Sequence, residues 1–90
     1  MTVALDVAYE VSPQVALRPE PFGALAYHYG TRRLVFLRKP ELVTLLKELP
    51  SHPCLAAALE ATEIAEARWP TFVKALSNLE ESEIIRVRQA

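Results

Sequence analysis

Residues 15–39, VALRPEPFGALAYHYGTRRLVFLRK, constrain this chain more than any other stretch. Strand-forming residues there are interrupted by glycine and proline at the points where a chain must reverse. Residues 24–29 and 32–38 read as the two arms of a hairpin, with Gly30-Thr31 between them. Glycine at the first position of a two-residue loop suits a type II′ turn. That register sets Tyr29 against Arg32, Leu25 against Phe36 and Tyr27 against Leu34. The large residues Leu25, Tyr27, Leu34 and Phe36 then share one face, expected to cover a core, and Ala24, Ala26, Val35 and Leu37 take the other. Before the hairpin, residues 14–18 form a short apolar strand. Pro19 and Pro21 in RPEPFG forbid regular pairing, so that segment is expected to be an ordered turn.

The flanking segments follow other periods. Val3, Leu5, Val7, Tyr9 and Val11 alternate, which suits an N-terminal strand or arm over residues 1–13. After Pro40, a good first-turn residue, Leu42, Val43, Leu45, Leu46 and Leu49 recur at helical spacing until Pro50. Ser51 is placed to cap a second, alanine-rich helix with Pro53 at its start, burying Leu55, Ala58, Leu59 and Thr62. A third helix carries Phe72, Val73, Leu76 and Leu79, with Pro70 in its first turn and a looser turn over residues 64–68 before it. The tail EIIRVR alternates as a brief strand. Strands followed by three helices fit an α+β fold of the winged helix-turn-helix kind, with a three-stranded antiparallel sheet.

Ninety residues make a single domain, 1–90, with a modest core. Apolar residues make up 51% of the chain, which leaves apolar surface for a partner and also suits a homodimer. The net charge of −1 argues against a dedicated nucleic-acid binder, which needs a positive excess. Charge is nevertheless segregated. No acid lies between Pro21 and Pro40, where Arg32, Arg33, Arg38 and Lys39 stand, whereas Glu60, Glu63, Glu66, Glu80, Glu81 and Glu83 crowd the C-terminal part. The N-terminus lacks the basic region of a secretion signal, no apolar run spans a membrane, and one cysteine cannot form an internal disulfide. A reducing, cytoplasmic setting is expected.

Catalytic and metal chemistry find little support. His28 and His52 lie 24 residues apart and the lone Cys54 completes no ligand spacing, so no metal site is expected. His28, at a strand end, reads as a solvated residue and Cys54 as a small buried filler. Two glycines are too few for a phosphate-cradling loop, and the acids show no paired spacing. No enzyme activity and no cofactor are expected. The strand of Leu34, Val35, Phe36 and Leu37 is different. At a sheet edge its free backbone groups would accept another strand, and the flanking Arg32, Arg33, Arg38 and Lys39 would guard that edge from indiscriminate pairing and also favour an acidic peptide. An ordinary core strand and core helix account for the same residues, and core-edge positions account for Tyr27, Tyr29 and Trp69.

The block VALRPEPFGALAYHYGTRRLVFL, the helix of residues 41–49 and the segment FVKALSNLEESEII resemble the mycofactocin-system peptide chaperones. These are relatives of the pyrroloquinoline quinone peptide chaperone among precursor-peptide recognition elements. The resemblance covers residues 14–85. It implies a non-catalytic winged helix-turn-helix that takes the leader of a ribosomally made peptide as an added strand. It further implies presentation of that peptide to a radical S-adenosylmethionine maturation enzyme, which carries the iron-sulfur cluster. Carried onto this sequence, the receiving strand is Arg33, Leu34, Val35, Phe36, Leu37 and Arg38. The helix wall falls among Trp69, Phe72, Val73, Leu76 and Leu79. The chain departs from the family pattern at Glu83, where glycine often precedes the apolar pair Ile84-Ile85.

Two other readings compete. A winged-helix DNA-binding regulator would use the third helix for recognition, yet that segment has only Arg68 and Lys74 among several acids. A self-associating structural module would cover the surplus apolar surface with its own copy.

Overall fold

Pro19 does not end its strand. In the computed structural model, which describes residues 3–88, strand β2 runs Val15–Glu20 and pairs antiparallel with β3, Gly23–His28. Pro19 lies opposite Ala24, which corrects the expectation of an unpaired RPEPFG turn. The proline is tolerated because β2 is an outer strand of the sheet, where a missing N–H costs no ladder bond. The turn shrinks to Pro21-Phe22. Gly23 follows it with φ +145°, and a Cβ at this position would overlap the carbonyl oxygen of Leu37. Glycine is therefore required both for its backbone angle and for the close approach of the neighbouring strand.

Strand β4, Arg33–Leu37, completes the sheet in the order β2-β3-β4. Its register is the one the sequence predicts, with Leu25 opposite Phe36 and Tyr27 opposite Leu34. The loop between β3 and β4 differs from a two-residue type II′ turn. Residues 29–32 form a four-residue loop, closed by the Arg32 N–H donating to the His28 carbonyl at 2.7 Å. Arg32, at φ 61°, takes the left-handed angle expected of Gly30. The cause is a local set of bonds. The Thr31 N–H donates to His28 Nδ1 at 3.0 Å, and the Arg33 N–H donates to Thr31 Oγ1 at 3.3 Å.

The faces of the sheet are the reverse of the expected ones. Ala26, at 0% exposure, Ala24 and Leu37 point into the core, while Leu34 at 49% and Phe36 at 54% point to solvent. Alanines face inward because helix α1, Pro40–Glu48, packs directly against β3 and β4, and small side chains allow that approach. His28, on the same inner face, is buried; it is not the solvated residue expected at a strand end.

Helix α1 buries Leu42, Leu45 and Leu46. A short 3-10 turn, Leu49–Ser51, follows it. Helix α2 then runs Leu55–Ala61 with Cys54, which is half-buried, at its N-cap. Ser51 is not the cap: His52, just before Pro53, is extended at φ −127°, ψ 149°, which delays the helix. The first α2 amides find their partners in the N-terminal segment instead. Leu55 and Ala56 donate to the carbonyls of Val7 and Leu5, each at 2.9 Å.

After the 3-10 turn Glu66–Arg68, helix α3 spans Trp69–Glu81 with Pro70 in its first turn. Strands β1, Tyr9–Val11, and β5, Ile85–Val87, pair antiparallel as a separate two-stranded sheet. The N-terminal alternation thus yields only a three-residue strand, and residues 1 and 2 of the expected arm lie outside the described residues.

Helices α2 and α3 end alike. Ile64 N–H donates to the Leu59 carbonyl at 3.3 Å and Glu63 N–H to that of Glu60 at 3.0 Å. Ile84 N–H donates to the Leu79 carbonyl at 2.8 Å and Glu83 N–H to that of Glu80 at 2.9 Å. Both are Schellman caps, with Glu63 at φ 58° and Glu83 at φ 63° in the left-handed position. Each is closed by a buried leucine-isoleucine pair, Leu59 with Ile64 and Leu79 with Ile84. The departure from glycine at Glu83 thus falls on a left-handed cap position, a geometry that Glu63 shares at the end of α2.

Candidate functional site

Among the described residues β4 pairs with β3 on one side only, so its other side is a free edge. In an antiparallel strand alternate residues direct their N–H and C=O groups away from the paired neighbour, and along β4 those groups face outward. Arg33 and Arg38 stand exposed at its two ends. Val35 and Leu37 project toward the core, Leu37 fully and Val35 partly buried. Leu34 and Phe36 project to the opposite face, where Phe36 meets Phe22 edge-on at 5.9 Å. The Arg38 guanidinium lies 5.7 Å from the Phe36 ring and 6.0 Å from the Phe22 ring.

The start of helix α3 approaches the chain that leaves β4. Phe72, Leu76 and Leu79 are buried in the core, whereas Trp69 and Val73 are only partly covered and pack against its margin. The indole N–H of Trp69 donates to the Ile64 carbonyl at 2.9 Å, which fixes the ring at the start of the helix. The chain leaving β4 comes close to that helix: the Lys39 ammonium lies 5.6 Å from the Phe72 ring centroid. The Arg68 guanidinium covers the same ring at 5.3 Å and holds Glu41 through two bonds of 2.7 Å. Those bonds, opposed by partial loss of water and aided by the Arg68 and Lys39 charges, hold the Glu41 carboxyl below its ordinary range. This clamp ties the starts of α1 and α3 together beside the end of β4.

A cleft of about 490 Å³ lies elsewhere, lined by Ser12, Gln14, His28, Thr31, Glu80 and Arg86 among others. It is distinct from the β4 edge. Strand addition uses a row of backbone groups rather than a cavity, so the two observations do not conflict. No group of three or more His, Cys, Asp or Glu converges among the described residues. No helix among them is long and apolar enough to cross a membrane.

Sequence reasoning grouped Leu25, Tyr27, Leu34 and Phe36 on one face but assigned that face to the core, and it missed Phe22, which meets Phe36 edge-on. The signal was present: small Ala24 and Ala26 alternate with large Leu25 and Tyr27, and a closely packed helix selects the small set.

The structure is thus a small α+β domain with a free sheet edge at β4. The chain belongs to the peptide chaperone MftB family, whose model matches residues 8–86. Curated relatives carry the name Peptide chaperone MftB. The one from Mycolicibacterium smegmatis is 41% identical over 80 residues, covering 89% of this chain and 78% of the relative. The one from Mycobacterium ulcerans is 36% identical, covering 94% and 78%. The one from Mycobacterium tuberculosis is 37% identical, covering 93% and 77%. No solved structure matches the chain significantly.

Proposed function

We propose that this chain is a non-catalytic peptide chaperone of mycofactocin-type cofactor biosynthesis, working in the cytoplasm within a winged helix-turn-helix frame. It takes the leader of a ribosomally made precursor as an added strand along Arg33, Leu34, Val35, Phe36, Leu37 and Arg38. Trp69 and Val73 of α3 form the adjacent wall, while Phe72, Leu76 and Leu79 support that wall from the core. The observation that carries this reading is the free edge of β4 in a chain of the peptide chaperone MftB family.

Backbone hydrogen bonds supply affinity in such an arrangement, and the flanking side chains supply selectivity. Arg33 and Arg38 favour carboxylates at both ends of the bound segment. Holding the leader raises the local concentration of the peptide's reactive end at a radical S-adenosylmethionine maturation enzyme. A DNA-reading role is less well supported, because Arg68, one of two cations near the start of α3, is engaged with Glu41.

The test is calorimetric titration of the chain with the leader peptide. Saturable one-to-one binding, weakened at least tenfold by Phe36→Asp with the fold intact, supports the reading. Binding that ignores Phe36→Asp, or no binding at tens of micromolar, refutes it.

A further inference from the structure

The outer face of the three-stranded sheet has no covering layer among the described residues. Its rows run Ala16, Tyr27, Leu34 and Arg18, Leu25, Phe36 across β2, β3 and β4. Leu34 and Phe36 are about half exposed, Phe22 is 36% exposed, and Tyr29 at the loop is 61% exposed and edge-on to Tyr27 at 5.3 Å. α1 occupies the other side of the sheet, so nothing in the fold requires large apolar residues here. Aromatic groups clustered on a solvent-facing surface are the anchors typical of protein interfaces.

The charges around this patch are mostly cationic. Arg32 stands at the loop end and Arg38 at the other, its guanidinium over Phe22 and Phe36. The one carboxylate of the face, Glu20, is taken by Arg18 at 3.1 Å. A second copy of the chain is a poor occupant, because a twofold contact through this face would set its rim cations against themselves. The complementary surface is an apolar centre rimmed by carboxylates.

We propose that this outer face docks the enzyme that modifies the bound peptide, through an acidic-rimmed apolar patch on that enzyme. The inference rests on the peptide-chaperone reading and adds a second surface to it. The two surfaces are compatible in space: a peptide strand adds in the plane of the sheet, whereas the enzyme approaches perpendicular to it. They are also contiguous. Strands lie about 4.8 Å apart, so a fourth strand widens the three-stranded platform by about a third. Alternate side chains of the added strand join Leu34 and Phe36 on the outer face. Peptide and enzyme therefore bind cooperatively, because part of the enzyme's docking surface is the peptide itself.

The experiment measures binding of the purified maturation enzyme to the chain, with and without leader peptide, for wild type, Tyr27→Glu and Phe22→Asp. Tyr27 lies one strand in from the edge, and Phe22 lies in the exposed turn, where substitution spares the core. The expected result is at least threefold tighter enzyme binding with peptide present. Both variants are expected to lose at least tenfold in enzyme affinity while leader affinity stays within twofold. Enzyme binding unchanged in Phe22→Asp and in a folded Tyr27→Glu overturns the proposal. So does a wild-type dimer that Tyr27→Glu dissolves, since the face is then a self-interface. Failure of wild type to bind leader at all removes the chaperone reading; loss of leader binding only in the variants removes this one.

Discussion

The two faces of the three-stranded sheet have opposite logic. The inner face is built from small or fully enclosed residues, Ala24, Ala26 and Leu37, and meets α1. The outer face carries the bulk, Tyr27, Leu34, Phe36 and the adjacent Phe22, and meets solvent. On this sheet burial follows which face meets α1 rather than side-chain size. The large residues set outside are accordingly free to serve a partner, and a mutation's effect depends on which face it strikes.

Behind the inner face, the strongest effect is expected at Leu76, which is fully enclosed. Leu76→Ala loses about 2–5 kcal/mol of stability in denaturant unfolding. For the same reason Leu76→Asp unfolds the domain and says nothing about binding, so Phe36→Asp is the informative substitution at the edge. Next comes a direct contrast across the sheet. Ala26→Leu forces side-chain volume between β3 and α1 and costs about 1–3 kcal/mol. Phe36→Ser, on the other face, stays within about 1 kcal/mol of wild type by the same assay. Equal losses at the two positions would break the distinction between the faces.

The helix caps sharpen it further, because their strain is independent of either face. Glu63→Gly and Glu83→Gly relieve left-handed backbone at a non-glycine residue, and each raises stability by about 0.5–1 kcal/mol, visible as a higher thermal midpoint. The smallest effect is electrostatic. Glu41 has a lowered pKa in the folded chain, so its bond to Arg68 contributes above the unfolded carboxyl range and is lost as pH falls through the folded value. In an acid titration of stability, Arg68→Gln should lie slightly below wild type at neutral pH, where the pair contributes, and match it once Glu41 is protonated in both; the difference is small because the pair is exposed.

Much of this architecture was legible in the sequence. The β3-β4 register followed from centring the reversal on Gly30-Thr31, although the loop itself has four residues, and α1 and α3 followed from their leucine spacing and first-turn prolines. The faces were not legible, because period 2 shows that two sets of side chains alternate but not which set meets a helix. His28 was misjudged because its ring bonds the Thr31 amide inside a loop whose length no single residue announces. The paired caps escaped notice although LEATEI and LEESEI repeat the same pattern of leucine, hydroxyl residue, glutamate and isoleucine. For the candidate site, the edge strand was visible in its composition and flanking cations. The division of the α3 residues into a core set and a marginal set required the packed structure.

The central claim is that β4 receives the leader as a strand. Amide hydrogen exchange across residues 33–38, with and without saturating leader peptide, tests it most directly. The account predicts that alternate β4 amides, exchanging freely in the unbound chain, become protected on binding, together with slower exchange in the peptide. Protection confined to the polar cleft around Gln14 and His28, with β4 unchanged, would contradict it.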